Sequence, residues 1–430
     1  MKTRTLLTIL LAGAALFFAG CQTKDEDPVE TVFASLLKLT AANPADYDSF
    51  GLSLALDGDH ALVGAPGYDG SGDNQGAAYL FLKSQGGADA WGQVVKLVPD
   101  DPADDDLFGI SVGLSGDYAV VGAGGADGGG TDEGAAYIFY RDQGGADAWG
   151  LVKRIAASDA DDGDGFGFVV AIDGVTVIVG SDGADGGGTN QGAAYVFYRD
   201  QGGADNWGQV ARLVSEDPAD DGQYGFAVDL AGDLAVVGAP GENGDGTECG
   251  VAYIYSRDMS GVDAWGLVKA FSPSDTPDYT WLGTAVATDG ALAVVGSAWD
   301  DGEGTDRGAV HVLGTDGTGT WREMKKLVAS DGRDDDLFGY CVAVDGGYVV
   351  AGAAWARGGG TQRGQAYLFS RNEGGTDNWG EVQRMRASDG QNGDRFGASL
   401  AIDGLYLLVG ATGDDGDGED RGAAYLLKRF

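Results

Sequence analysis

The pair Phe-Gly, or a close variant of it, recurs at Phe50-Gly51, Phe108-Gly109, Phe166-Gly167, Tyr224-Gly225, Leu282-Gly283, Phe338-Gly339 and Phe396-Gly397. Successive copies stand 58 residues apart, with a single interval of 56 between Leu282 and Phe338. A period this regular means one supersecondary unit copied seven times, each copy stacked on its neighbours.

The unit that starts at Phe108 shows what is repeated. It holds four apolar runs, Phe108–Leu114, Tyr118–Ala123, Ala135–Tyr140 and Trp149–Ile155, separated by segments rich in Gly and Asp. The runs are short, β-branched and aromatic, and bounded by turn residues, which predicts strands. No window carries a helical period. The runs are apolar at nearly every position, as suits sheets covered on both faces. Four strands per unit and seven units predict an all-β, seven-bladed β-propeller. The chain ends support this. Phe33–Leu39 lies 58 residues before Trp91–Leu97 and so reads as a fourth strand without the three before it, whereas the unit from Phe396 stops after its third run. Joining the two closes the ring and leaves no unmatched edge.

The recurrent Phe-Gly is followed by Val-Val-Gly-Ala-Pro or a relative, intact at Gly64-Ala65-Pro66 and Gly238-Ala239-Pro240. This pattern resembles the FG-GAP repeat of integrin α-subunit propellers and their bacterial counterparts, over residues 33 to 430. The resemblance implies the propeller fold and leaves the activity open, since propellers host many functions. The calcium site of the integrin-type repeat uses an Asp-rich loop between the first and second strands. Here that turn is short, as at Leu56-Asp57-Gly58-Asp59 and Ile172-Asp173-Gly174, so the resemblance does not carry calcium over.

The chain begins with Lys2 and Arg4, then an apolar stretch from Leu6 to Ala19, then Gly20-Cys21. This reads as a secretory signal over 1–20, too short to span a membrane. Phe18-Ala19-Gly20-Cys21 resembles a bacterial lipobox, which implies a lipid on Cys21. Residues 21–32 then form an acidic tether, and residues 33–430 the propeller. Lys24-Asp25-Glu26-Asp27 resembles the acidic export tag of surface lipoproteins; a solvated tether reads equally well. The expected address is the bacterial envelope, anchored by lipid at the outer membrane and exposed at the surface. Cys249 and Cys341 fall in units that are not neighbours, so they are expected to remain thiols, and no zinc-type spacing exists.

The formal charge is -40, from 67 acids against 27 bases. That sign excludes nucleic acid as a partner. In an antiparallel meander the loop from second to third strand and the loop from blade to blade emerge on the same side. The blade-to-blade loops carry Asp101, Asp104 and Asp106, then Asp159, Asp161, Asp162 and Asp164, then Asp334 and Asp336, so one face is strongly acidic. Hard oxygen donors at this density make these residues candidate calcium ligands. Like charges about 6 Å apart in water repel by roughly 0.7 kcal/mol, so a solvated face screened by salt is the competing reading. On the opposite face Trp91, Trp149, Trp207, Trp265 and Trp379 close a repeated Gly-Gly-Ala-Asp motif or a relative of it. These rings either stack on sugars or, more simply, pack on their own blades.

An enzyme needs residues that break the repeat. With only His60 and His311, no Ser/His/Asp set is recognisable, and no pair of carboxylates stands out by spacing. The sixth unit does break the pattern. Its loop carries Trp355, Arg357 and Arg363 and no acid, a candidate notch for a carboxylate ligand near Arg307, Arg333, Arg395 and Arg421. The reading is a monomeric, lipid-anchored module that binds protein or polysaccharide at a loop face. The alternative is a carbohydrate-active enzyme, a lyase or hydrolase, with its site on that face.

Overall fold

The computed structural model describes residues 32–85, 87, 89–244, 246–273, 278–316 and 318–429. Cys21, the 1–20 signal and all but the last residue of the 21–32 tether lie outside the described residues. No helix among the described residues is long and apolar enough to cross a membrane.

Seven antiparallel sheets of four strands follow one another around a channel. In the second blade the strands are Val112–Ser115, Tyr118–Ala123, Ala135–Tyr140 and Gly150–Ile155, from the channel outward. The innermost strand is shorter than the apolar run that announced it. Phe108 instead makes a parallel bridge to Gly76 of the preceding blade, and Gly109 turns the chain at φ +92° before pairing begins at Val112. A side chain at that φ would be strained, which is why the second residue of the pair is Gly.

The Phe of each pair is a wedge between blades. Phe108 is fully buried and meets Tyr137 and Phe139 edge-on, with centroids 5.4 and 6.1 Å apart. The same cluster takes in Leu62, Leu80 and Leu97 of the first blade, so the core lies between sheets. Burying one such ring stabilises the fold by about 2–3 kcal/mol. The Gly of Gly-Ala-Pro is the other half of the contact. A Cβ on Gly64 would lie 2.0 Å from the carbonyl oxygen of Gly109, and one on Gly122 would lie 2.0 Å from that of Gly167. The series runs through Gly180, Gly238, Gly296 and Gly352 and ends with Gly410 against Gly51, back at the first blade. Backbones touch here, so no larger residue fits.

Closure occurs as the sequence implies. Phe33–Leu39 pairs antiparallel with Ala423–Arg429 and completes the seventh sheet. Gln383 of the sixth blade clamps the strand: its Oε1 accepts the Phe33 N–H at 2.7 Å and its Nε2 donates to the Phe33 carbonyl at 2.6 Å.

The repeated tryptophans pack into the fold, the simpler of the two expectations, and reach further than their own blades. All five are buried, packed in clusters that include their own blade, and four of them also reach an aromatic residue of the neighbouring blade. Trp91 stacks edge-on against Tyr406, Trp149 against His60 and Trp207 against Tyr118, while Trp265 donates its Nε1–H to Tyr198 Oη at 3.1 Å. They tie the start of one blade's outermost strand to the second or third strand of the blade before it and offer no free face to a sugar. Cys249 is buried at the fourth blade and Cys341 half-buried at the sixth.

Candidate functional site at the channel mouth

The acidic loops do share one face. Asn74 Nδ2 donates to Asp105 at 2.9 Å, and the Thr131 N–H donates to Asp162 at 3.0 Å, so each blade-to-blade loop holds a second-to-third loop. Eight of the nine acids read as calcium ligands, all but Asp161, are employed in three distinct ways. Asp101 accepts the Tyr137 hydroxyl at 2.8 Å and faces Arg154 at 3.6 Å, and Asp159 pairs with Arg212 at 3.0 Å. Asp162 and Asp334 accept loop N–H groups, Asp334 also pairs with Arg307 at 2.9 Å, and Asp104 sits against Gly72 in the matching place. Asp106, Asp164 and Asp336 are buried and close a turn by accepting the N–H of Ala103, Asp161 and Arg333. Desolvation by burial pushes these last three carboxyls above the usual range. Among the described residues no three His, Cys, Asp or Glu gather into a group able to hold a metal ion. The carboxylates are spread along separate spokes, and this donor set does not fit calcium.

The residues of the sixth-blade notch do not form one site. Arg357 lines a cavity of about 40 Å3 with Asp331, Arg333, Asp336 and Arg386, and neither Trp355 nor Arg363 is in its wall. Arg363 Nε donates to Asn392 at 3.3 Å, while Arg307 and Arg421 pair with Asp334 and Asp46. Arg307 and Arg421 thus serve local charge balance and Arg363 a loop contact.

Trp355 points elsewhere, to the mouth of the channel. The residue after each Phe-Gly pair rims this opening, and on one side the rim is aromatic. Phe168 lies 5.8 Å from Phe226, Trp281 lies 5.0 Å from Trp299, and Tyr340 lies 4.6 Å from Trp355, centroid to centroid. All but Trp355 line a cavity of about 390 Å3 whose wall holds no charged side chain. Phe168 and Trp281 remain 38% and 37% exposed. Opposite them the rim is Ala398, Leu52 and Ile110.

The two extra indoles have a physical origin. Five blades place Gly67, Gly125, Gly183, Gly241 or Gly413 where Trp299 and Trp355 stand. In those five a preceding-loop carbonyl comes within 1.9–2.3 Å of where a Cβ would be. The fifth and sixth blades give up this close approach and carry a large ring in its place. Trp299, Trp281, Phe168 and Phe226 were not singled out from the sequence. Aligning the repeats on Gly-Ala-Pro would have exposed Trp299 and Trp355 as the same departure. Chemically, the mouth is suited to stacking. Most of its polar groups are spent between blades: Ser53 Oγ donates to the Gly109 carbonyl at 2.8 Å, and Cys341 Sγ donates to the Gly397 carbonyl at 2.9 Å, while the buried Thr284 Oγ1 finds no partner among the described residues.

Deeper in the channel the wall narrows to Ala55, Gly113, Ala171, Ala287, Ala343 and Ala401, with Asp229 in the seventh place. In four blades an Asp at the end of the innermost strand accepts a turn N–H of the next blade, as Asp345 does from Gly404 at 2.8 Å, and in the second blade Ser115 does so. The fourth blade has Ala231 there, and Asp229 takes over by accepting the Thr288 N–H at 2.7 Å. Burial pushes the Asp229 carboxyl up to about 7. Between the unfolded value near 3.8 and about 7 the native state holds the extra proton, so this group's contribution to stability falls as pH rises through that window. Asp229→Asn keeps the acceptor and removes the charge. Thermal melts should show it several degrees more stable than the parent at pH 8 and equal to it at pH 4. Equal midpoints at both pH values would refute a shifted Asp229.

The FG-GAP repeat model matches the chain at residues 34–81, 91–139, 149–197, 207–255, 265–313, 321–369 and 379–427. Each match runs from an outermost strand into the third strand of the next blade, so it spans the contacts between sheets. No curated protein matches the chain. With a closed ring of seven blades and a family match over most of its length, the chain belongs to the FG-GAP repeat family.

Proposed function

We propose that this propeller is a binding module that seats a protein or polysaccharide ligand across its aromatic mouth. The observation that carries this reading is the arc of Phe168, Phe226, Trp281, Trp299, Tyr340 and Trp355 around an uncharged opening. Partly exposed rings cost hydration in the free protein and regain it when a flat apolar face, of a sugar or a side chain, covers them. The acidic loops around the opening favour ligands that are neutral or basic.

The test is a glycan and matrix-protein array probed with the full chain. Trp281→Ala should weaken every retained ligand at least tenfold, about 1.4 kcal/mol. Val262→Ala, 90% exposed on the opposite loops, should change nothing. Binding that survives Trp281→Ala, or falls equally in both variants, would place the site elsewhere.

The module works outside the cytoplasm, held to the bacterial envelope by a lipid on Cys21. The lipobox-like Phe18-Ala19-Gly20-Cys21 supports this. Cells fed a fatty-acid analogue should label the parent chain and not Cys21→Ser. An unlabelled parent rejects the anchor.

A further inference from the structure

The third and outermost strands of the blades share a cross-strand pair. Tyr79 faces Lys96, Tyr137 faces Arg154, Tyr195 faces Arg212, Tyr367 faces Arg384 and Tyr425 faces Lys38, with His311 opposite Lys326 in the fifth blade. Each basic side chain ends on an oxygen of the acidic loops. Lys326 lies 2.7 Å from Asp300, Lys38 lies 2.6 Å from Asp414, and Arg384 lies 2.7 Å from Asp331. Lys96 lies 2.7 Å from the Tyr68 hydroxyl.

The fourth blade keeps the acid and loses the base. Tyr253 faces Ala270, which is exposed. Glu242 stands at the loop position of Asp300 and Asp414 and is only 3% exposed. Its Oε2 accepts the Tyr253 hydroxyl, the Ser215 hydroxyl lies close enough to favour its ionised form, and its Oε1 is buried with no hydrogen-bond partner among the described residues. Room for it comes from Gly222, which replaces the buried turn aspartate; a Cβ there would lie 3.1 Å from Glu242 Cγ. Glu242, Asp217 and Ala270 line one cavity of about 680 Å3. Lys269 also lines it but alternates to the other face of its strand from Ala270, and no ion pair within 4.0 Å joins it to Glu242 among the described residues.

We propose that this cavity binds the lysine or arginine side chain of a partner protein, whose N–H groups take the place left by the basic residue absent at 270. A buried carboxylate oxygen without a donor is costly, and a ligand N–H satisfies it. A charge-assisted bond to Glu242, with Asp217 at the same cavity, repeats what lysines and arginines of other blades do within the chain. Desolvation by burial raises the Glu242 carboxyl, which is the state a bound cation relieves. The site sits at an outermost strand, apart from the channel mouth, so it stands or falls independently of the mouth.

The experiment titrates the full chain with Nα-acetyl-lysine methylamide and Nα-acetyl-arginine methylamide at physiological salt, read by calorimetry. One site per chain with a dissociation constant of about millimolar is expected for at least one of the two, in keeping with so small a ligand. Glu242→Gln should weaken it at least tenfold. Ala270→Lys should supply the cation internally, raise the melting temperature and cancel the titration. Tetramethylammonium, which has charge but no N–H, should not bind. A response unchanged in Glu242→Gln, equal binding of tetramethylammonium, no binding of either amide, or tighter binding of glucosamine than of both amides would each overturn the proposal.

Discussion

Removal of residues 33–39 is expected to lower the melting temperature by more than 10 °C and to drive the chain into larger assemblies than the parent forms. The strand buries Phe33 and Leu39 and pairs along its length with Ala423–Arg429. Two buried side chains and a ladder of backbone bonds together stabilise by at least about 5 kcal/mol. Loss of Lys38 also strips Asp414, which is buried, of its cation at 2.6 Å. The uncovered edge of Ala423–Arg429 is apolar for most of its length and invites pairing with another copy. Circular dichroism melts and size-exclusion chromatography check both effects. A truncated chain that melts and elutes like the parent would show that the strand is not structural.

Gly122→Ala should be nearly as damaging, although it adds one methyl group. The new Cβ would fall 2.0 Å from the Gly167 carbonyl oxygen, and both atoms belong to backbone that is pinned in its own sheet. Neither blade can yield without opening the interface that Phe166 fills. Overpacking of this kind costs about 3 kcal/mol, roughly 5 °C in a chain of this size. Gly116→Ala is the matched control. It sits at φ +58° with nothing within 4 Å of the added carbon, so it bears only the cost of a left-handed side chain, about 1 kcal/mol. Equal melting temperatures for the two variants would contradict close blade contact as the reason for the repeated Gly.

The fold was legible because the residues that build the interfaces are the ones that repeat. Phe108 and Gly109 mark the wedge and the turn, and Gly122 marks the backbone contact, so their period is the period of the ring. The orphan strand at Phe33 could be placed for the same reason: it matches Trp91–Leu97 in phase. The acidic face was also legible, because loop order in a meander fixes the side on which a loop emerges. What those acids do was not. Asp101, Asp104 and Asp106 lie within six residues yet serve a tyrosine–arginine pair, a loop contact and a turn. Nothing in their spacing separates those tasks from a shared cation. The tryptophans were legible as packing residues, but their reach to the next blade was not. A ring at the start of an outer strand can turn to either neighbouring blade, and sequence does not say which. At the candidate site only Trp355 was picked out, and it was grouped with Arg357 and Arg363 because they are close in sequence. The structure groups it with Tyr340, and groups Trp281 with Trp299, through turns that bring separate segments together at the mouth.

The aromatic arc spans the third to sixth blades and exists as a mouth only if the ring is closed. Hydrogen exchange of the intact chain, read by mass spectrometry over 33–39, tests closure most directly. An outermost strand bonds through one edge, so about half of these amides should be protected. Their protection should match that of the equivalent strand Gly150–Ile155 and should be lost together with that of Ala423–Arg429 as denaturant is added. Free exchange of residues 33–39 while residues 423–429 stay protected would mean that the N-terminal strand does not complete the seventh blade, and would contradict the closed ring.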